Sequence, residues 1–160
     1  MAAELYRHTQ PGTLTRWLLG GFAILDFGFL MFFTVHFVPA VFSITCAVLF
    51  IMLACLLLFH SLTVIVTEQE IMISFGPGLL RKKYPLSELV SCQVVRNSWL
   101  HGWGIHRTWA GWVYNVSGFD AVEIVLKDGR KARIGTDAPR ELAEALNERM
   151  KAKTLERRGT

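Results

Sequence analysis

The residues of this chain that could hold a cofactor are few and far apart. His36 and His60 are the first candidates, because imidazoles on two neighbouring helices can ligate a haem iron between them. They stand at opposite ends of an apolar stretch long enough to cross a bilayer, which places them about 30 Å apart. That separation argues against a haem held within one chain, and both histidines are interpreted as residues of the membrane interface.

Nucleophilic catalysis also lacks its usual arrangement of residues. His101 and His106 share one loop, and the nearby Ser98 has no base placed beside it. Gly102 and Gly104 lack the lysine and the strand-to-helix setting of a phosphate-binding loop. The sequence therefore predicts no enzyme, no catalytic residues and no cofactor.

The cysteines do not form a metal or redox motif. The three residues, Cys46, Cys55 and Cys92, are too far apart for a C-x-x-C motif, and their odd number does not suggest a set of paired disulfides. We interpret all three as reduced packing residues, and we expect no metal site.

Asp26 is the only formally charged residue between Arg16 and Glu68. In a helix that starts near Trp17 it lies about 14 Å deep, too far in for a short side chain to reach water. Three interpretations stay open: a polar contact with another membrane subunit, a protonated carboxyl bonded to backbone or water, and a proton relay. Each interpretation offsets the unfavourable free energy of burying a carboxyl group in a different way.

Two glycines bear on the choice between these interpretations. Gly21 and Gly28 fall on nearly the same side of the helix and form a small-residue strip suited to close helix packing. Asp26 falls on a different side. If the strip packs on the second span, Asp26 points outward toward a partner.

Four of the five tryptophans, Trp99, Trp103, Trp109 and Trp112, fall close together around Arg107. Trp favours positions where one end of the ring is apolar and the other meets water, so the loop is predicted to lie at the membrane interface or against a partner. The alternative is that some of these rings fill the core of the neighbouring sheet. We expect at least two to make contacts outside the chain.

A membrane hairpin would carry Asp26 and the glycines. The chain has 160 residues, 52% apolar and 19% charged, and its apolar residues concentrate before Glu68. That region is long enough for two transmembrane helices, predicted over residues 17–37 and 40–58, with the chain folding back at Pro39. A cleaved signal peptide fits poorly, because the apolar stretch is too long and no small-residue cleavage site follows it.

Lys and Arg residues occur before the first span and after the second span, and there are none in the turn between the spans. Arg7 and Arg16 precede the first span, and Arg81, Lys82 and Lys83 follow the second. Both termini are therefore predicted to be cytosolic. The formal charge of +4 is explained by basic residues facing an anionic leaflet, and we expect no nucleic-acid binding.

After residue 60 the pattern changes to alternating β-branched residues between turn signals, which indicates strands. Seven antiparallel strands are predicted, followed by an amphipathic helix from about Pro139 that covers the sheet. The predicted units are residues 1–16 as a cytosolic segment, 17–60 as the hairpin, 61–153 as the soluble domain and 154–160 as a basic tail. The residues expected to be buried together are Val122, Ile124, Leu126, Ile134, Leu142 and Leu146.

Seven strands capped by one C-terminal helix resemble the pleckstrin-homology (PH) type of small barrel. The segments that carry the resemblance are Gly102-Trp103-Gly104-Ile105-His106-Arg107, Tyr114-Asn115-Val116-Ser117-Gly118, Ala121-Val122-Glu123 and Arg133-Ile134-Gly135-Thr136-Asp137. Together they are similar to the PH-like domain of small bacterial integral membrane proteins, over about residues 61–151. The resemblance implies an α+β domain with a barrel-like sheet on a protein of the bacterial inner membrane, and it assigns no chemistry.

One departure from the lipid-binding PH domains concerns the first hairpin. Phosphoinositide binders carry Lys and Arg there, whereas this chain carries Glu68 and Glu70. An inositol-phosphate pocket is therefore not expected at that place.

Two functions fit these observations. The first is a non-catalytic accessory, assembly or scaffolding subunit of a larger membrane protein complex, with other integral membrane subunits and the lipid bilayer as partners. The second is an autonomous sensor of lipids or peptides at the membrane surface, acting through the Trp-rich loop. Either protein could also form a homo-oligomer. The residues expected to contact partner or membrane are Asp26, Gly21, Gly28, Trp99, Trp103, Trp109, Trp112 and Arg107.

Overall fold

The computed structural model describes residues 4–34, 39–98, 102–109 and 111–158. Over those residues the chain forms nine strands, three α-helices and one short 3₁₀ helix. In chain order they are β1 (Glu4–Pro11), α1 (Thr13–Thr34), α2 (Pro39–Phe59), β2 (Ser61–Thr67), β3 (Glu70–Phe75), β4 (Leu80–Pro85), the 3₁₀ helix (Leu86–Glu88), β5 (Leu89–Arg96), β6 (Gly104–Thr108), β7 (Gly111–Asn115), β8 (Asp120–Leu126), β9 (Lys131–Gly135) and α3 (Pro139–Arg158).

Helices α1 and α2 pack against each other as a hairpin. Both are long and apolar enough to cross a membrane, with mean hydropathies of 1.4 over Thr13–Phe32 and 2.8 over Ala40–Phe59. The two long apolar helices expected from the sequence are therefore present. The first starts at Thr13, earlier than predicted, because polar Thr13, Thr15 and Arg16 form its first turn beside the soluble sheets.

The first sheet has the order β1-β2-β3-β4, and all its pairs are antiparallel. Strand β1 was not predicted, because residues 1–16 were interpreted as a separate cytosolic segment. It pairs with β2 over nearly its full length, from Glu4 opposite Thr67 to Pro11 opposite Ser61. The helical hairpin is thus inserted between two neighbouring strands of one sheet.

The second sheet has the order β5-β8-β9-β7-β6. Strand β9 lies between β8 and β7, and its pairing with β7 is parallel, with Trp112 opposite Ala132 and Tyr114 opposite Ile134. The prediction of a wholly antiparallel sheet was wrong at this one pair. The chain crosses from β7 to β8 over the end of the sheet, which leaves room for β9 to enter between them.

A single core lies between the two sheets and α3. The six residues expected to be buried together are all within it. Helix α3 starts at Pro139 as predicted and contacts β5, β8 and β1. Its Leu142 and Leu146 are completely buried, so the helix covers the sheet.

The prediction of one seven-stranded barrel was wrong in two respects. The described strands form two sheets that are not closed into a barrel, and there are nine of them. The two additional strands, β1 and β6, are both edge strands, with sequences ELYRHTQP and GIHRT. Neither sequence has the apolar alternation by which the other seven were recognised.

The two sheets have a near end, which meets α1 and α2, and a far end. At the near end β2 begins directly after α2, and a Cβ on Gly76 would lie 2.6 Å from the carbonyl oxygens of Leu57 and Leu58. The far end is formed by the turns that follow β2, β4 and β8. Backbone hydrogen bonds from Leu86 to Gln69 and from Lys127 to Glu88 join them, both at 2.8 Å.

Candidate functional site

The helical hairpin is held to the first sheet where β1 ends and β2 begins. The backbone N–H of Gly12 donates to the carbonyl oxygen of His60 at 2.7 Å, and the Arg16 guanidinium donates to the same oxygen at 3.1 Å. A Cβ on Gly12 would lie 2.5 Å from the carbonyl oxygen of Phe59. Only glycine fits this close approach of β1 to the end of α2.

A second set of contacts holds α1 to the other sheet. The hydroxyl of Thr15 donates to the carbonyl of Val116 at 2.6 Å, and the hydroxyls of Thr13 and Ser117 are 2.9 Å apart. From β1, the side-chain amide of Gln10 donates to the carbonyl of Ser117 at 2.9 Å. The hairpin is thus bonded to both sheets, so the helices and the soluble domain are held in one fixed geometry.

Sequence reasoning missed this junction. Gln10, Thr13 and Thr15 were interpreted as part of the cytosolic N-terminal segment, residues 1–16, and their partners lie more than 100 positions away. The available signal was the group of small polar residues immediately before an apolar helix, a composition typical of helix starts.

Helix α1 turns different residues toward α2 than the sequence suggested. Ala23 and Leu30 are buried against the rest of the protein, and Asp26 lies half-buried beside them on the same side of the helix. Gly21 and Gly28 face away, and a Cβ on either would meet nothing within 4 Å. The glycine strip therefore does not meet the second helix, and the arrangement considered from the sequence is reversed.

The carboxyl group of Asp26 is incompletely bonded. Its Oδ2 atom is buried and has no hydrogen-bond partner among the described residues. Thr45, the buried polar residue of α2, donates its hydroxyl to Val41 of its own helix. A buried polar oxygen without a partner is unfavourable by several kcal/mol in an apolar setting, so this atom is the least satisfied group of the hairpin.

The Trp-rich region divides between the two ends of the sheet. Trp103 lies at the near end, where its indole N–H donates to Gly118 at 3.3 Å and its ring packs on Phe119 at 6.1 Å. It also lines an apolar cavity of about 380 Å³ together with Leu18, Leu19 and Phe59 of the two helices. This tryptophan is therefore next to the ends of the helices.

The other two described tryptophans of the Trp-rich region lie toward the far end of the sheets. Trp109 follows β6 and is 91% exposed, and Trp112 begins β7, is half-exposed and stacks on Tyr114 with ring centroids 6.4 Å apart. Arg107 is exposed and pairs in register with Trp112. Trp99, His36 and His101 lie outside the described residues.

A polar cluster occupies the outer side of the second sheet. The side chain of Glu123 is only 4% exposed and accepts hydrogen bonds from Arg133 at 2.8 Å and from Gln93 at 3.3 Å. Lys131 is 3.7 Å away. A neighbouring cavity of about 430 Å³ is lined by Glu123, Lys131 and Arg133 and also by Arg107, Trp109 and Arg130. Glu123 neutralises part of this positive charge and joins β8 to β9.

The remaining candidate residues have structural contacts. His60 donates a ring N–H to the carbonyl of Leu57 at 2.8 Å, next to the end of α2. The three cysteines are free thiols, and burial raises the pKa of Cys92, whose sulfur donates to Ala143. Among the described residues, no group of three or more His, Cys, Asp or Glu side chains is placed to hold a metal ion.

Comparison of the chain with models of known protein families, with curated proteins and with solved structures found no match.

Proposed function

We propose that this protein is a non-catalytic accessory, assembly or scaffolding subunit of a larger membrane protein complex. The observation that carries the proposal is the unpartnered Oδ2 of Asp26 within an apolar helical hairpin. An ionisable residue at membrane depth is retained where it has a function. Because Oδ2 is buried on the side of α1 that faces α2, a donor from another subunit would have to enter beside the two helices to satisfy it. The open strip at Gly21 and Gly28 supports the proposal, because small residues let another helix approach closely.

The soluble domain would be displayed on the cytosolic face of a bacterial inner membrane. Strands β1 and β2 are paired, so the N-terminal strand and the soluble domain lie on the same side of any membrane that the hairpin crosses. The Lys and Arg residues that flank the hairpin favour the cytosolic side. Because the helices are bonded to both sheets, a partner bound to α1 would hold the domain in a fixed orientation.

A structural role also fits the polar clusters of the described residues. Glu123 and Arg133 join two strands, and the hydroxyls of Tyr84 and Tyr114 join the two sheets at 2.9 Å. We propose in addition that the soluble domain is related to PH-like domains.

The alternative, a lipid sensor acting through the Trp-rich loop, has less support. Lipid contact requires the aromatic rings near the helix ends, where Trp103 lies. Trp109 and Trp112 lie at the opposite end of the β6–β7 hairpin. The size of the protein in mild detergent separates the two functions, because a sensor runs alone or as a small homo-oligomer.

The test is co-purification of the full chain from its native membranes in mild detergent. Wild-type protein is expected to elute with other integral membrane proteins. Asp26→Asn keeps a hydrogen-bonding group and should weaken that association mildly, whereas Asp26→Leu should release the subunit. Thr45→Val is the matched control, because its hydroxyl is already bonded within α2.

Asp26→Leu should at the same time make the isolated hairpin more resistant to unfolding, since it removes a buried carboxyl oxygen without a partner. Opposite signs for assembly and hairpin stability are the expected result. If Asp26→Leu leaves every co-purifying protein in place, Asp26 is a tolerated membrane carboxyl and the proposal loses its main support.

A further inference from the structure

The two sheets leave an open groove between their edge strands β4 and β6. This edge groove has a volume of about 260 Å³. It is lined by Leu80, Arg81 and Lys82 on one side and by Ile105, Trp112 and Tyr114 on the other. Each of the two strands has a strand neighbour on one side only among the described strands. The groove is therefore bounded by two sheet edges.

The backbone of β6 is suited to accept another strand. A two-residue turn closes Thr108 against Gly111, and the antiparallel register continues to Gly104. Starting from such a turn, residue pairs that exchange backbone hydrogen bonds alternate with pairs that do not. Ile105 and Arg107 belong to pairs of the second kind, so their N–H and C=O groups point away from β7. An edge of this kind is a template for an added extended segment.

The side chains along the groove give it an apolar surface. Ile105 pairs with Tyr114 and Arg107 with Trp112, and residues directly opposite in an antiparallel pair share one face of the sheet. The Trp112 ring stacks on Tyr114 and is 42% exposed. An apolar side chain of an incoming strand would pack on this ring.

The charge of the groove is positive. Arg81 and Lys82 line it and are exposed, and the exposed Arg107 lies on β6 two residues beyond Ile105. Three carboxylates of the neighbouring strands and turns are bonded to other cations: Glu70 to Lys83, Asp128 to Arg130, and Glu123 to Arg133. Lys82 and Arg107 form no ion pair among the residues that the structure describes. A ligand that carries carboxylates would complement these cations.

We infer that the edge groove binds an extended acidic segment of a partner protein, which adds to β6 as a further strand. The inference rests on the proposed function, since it names the chemistry by which a partner subunit meets the soluble domain. β6 has five residues, so the added segment would span about 16 Å. Main-chain hydrogen bonds would give affinity, and alternate apolar and acidic side chains would give specificity.

A peptide explains the groove better than a lipid headgroup does. The outward backbone groups of Ile105 and Arg107 are matched by the backbone of an extended peptide, which a headgroup lacks. Arg107 and Trp112 also lie toward the far end of the sheet, away from the helices that would mark the membrane.

The probe is a short fluorescein-labelled peptide in which glutamate alternates with valine, added to the full chain in detergent micelles. Fluorescence anisotropy should detect binding that weakens as salt is raised. The double variant Lys82→Glu/Arg107→Glu should bind at least about tenfold more weakly. Arg140→Glu, a single charge reversal at an exposed site on α3, should bind as the wild type does.

Two further measurements test the mode of binding. A probe methylated on alternate backbone amides should fail to bind, because it cannot complete a strand ladder. The amides of Ile105 and Arg107 should exchange hydrogen more slowly when the unmodified probe is present. The inference is overturned if the methylated probe binds equally well, if Arg140→Glu weakens binding as much as the double variant, or if only anionic vesicles bind.

Failure of this inference is distinguishable from failure of the proposed function. If partners co-purify equally with wild type and with Lys82→Glu/Arg107→Glu, the groove is not the contact and the subunit role stands. If the probe binds as described while the wild-type protein purifies alone, the groove stands and the subunit role fails.

Discussion

The backbone N–H of Gly12 donates to the carbonyl oxygen of His60 at 2.7 Å, which joins the strand before the helical hairpin to the residue that follows it. The two residues close the hairpin where it meets the sheets. Further contacts that orient the helices, from Thr13 to Ser117 and from Thr15 to Val116, lie in the first turn that follows Gly12.

Replacing Gly12 with alanine is expected to destabilise this junction. The added Cβ would lie 2.5 Å from the carbonyl oxygen of Phe59, a rigid backbone atom, so β1 or α2 must move. The expected cost is about 1 to 3 kcal/mol, measured as the free energy of unfolding in mild detergent. Gly20→Ala is the control, because a Cβ there meets nothing within 4 Å and alanine favours a helix. Equal stabilities of the two variants would contradict the close approach.

Replacing Leu146 with alanine should cost about 2 to 5 kcal/mol by leaving a cavity beneath α3. Leu146 is completely buried in the core. Leu155→Ala lies on the same helix but is exposed, and its effect should stay within about 0.5 kcal/mol. Urea unfolding of both variants checks the difference. A small effect at Leu146 would show that the helix does not pack on the sheets.

Arg133→Met should destabilise the protein by about 3 kcal/mol, because Glu123 would keep a buried negative charge without its nearest cation. The double variant Glu123→Leu/Arg133→Met should recover most of that loss, since no isolated charge remains. Arg130→Met removes an exposed ion pair with Asp128 and should leave the free energy of unfolding nearly unchanged. If the double variant is as unstable as Arg133→Met, the effect is not electrostatic.

The tyrosines predict a loss of stability at alkaline pH. Burial raises the pKa of Tyr6 to about 12, with Glu141 and Asp137 adding to the shift, and burial also raises the pKa values of Tyr84 and Tyr114. Since each pKa is higher in the folded protein than the usual value near 10, the stabilisation is present below pH 10 and is lost as pH rises through the folded values.

Absorbance of tyrosinate during a pH titration measures this directly. Tyr6, Tyr84 and Tyr114 are the three tyrosines of the chain, so the native protein should titrate well above the denatured protein. Coincident titration curves for the two states would show that the tyrosines are solvated in the folded protein.

Much of the fold was predictable because most elements bury a regular pattern of apolar residues. Strands β2 and β8 alternate β-branched residues, and α3 carries Leu142 and Leu146 on one stripe. β6 was missed because its sequence, GIHRT, lacks apolar alternation, and β1 was missed because its stabilisation comes from pairing with β2 on the far side of the helical hairpin in the sequence. The parallel pair β7–β9 was missed for the same reason, since no local signal records which strand enters between two others.

The candidate contacts were predicted less completely. The sequence identified Asp26 as a polar residue of α1 and Gly21 and Gly28 as a strip of small residues. Which of them faces α2 depends on how the two helices are rotated about their axes, and the sequence does not give that rotation. The Trp-rich region was recognised from composition, yet β6 separates Trp103 from Trp109 across the sheet. The edge groove joins residues of β4 and β6, so it could only be found in three dimensions.

The proposed arrangement is a membrane-crossing hairpin inserted into a soluble domain that lies wholly on the cytosolic side. Cysteine labelling tests it most directly, after Cys46, Cys55 and Cys92 are replaced by alanine. Single cysteines are introduced as Glu4→Cys in β1, Asp128→Cys in the β8–β9 turn and Val38→Cys in the segment between the helices. Each variant is treated with a membrane-impermeant maleimide before and after the cells are opened.

We expect Val38→Cys to react in intact cells, and Glu4→Cys and Asp128→Cys to react only after the cells are opened. This result follows from the pairing of β1 with β2 and from the basic residues that flank the hairpin. Reaction of Glu4→Cys and Asp128→Cys from opposite sides, or of both in intact cells, would contradict the account.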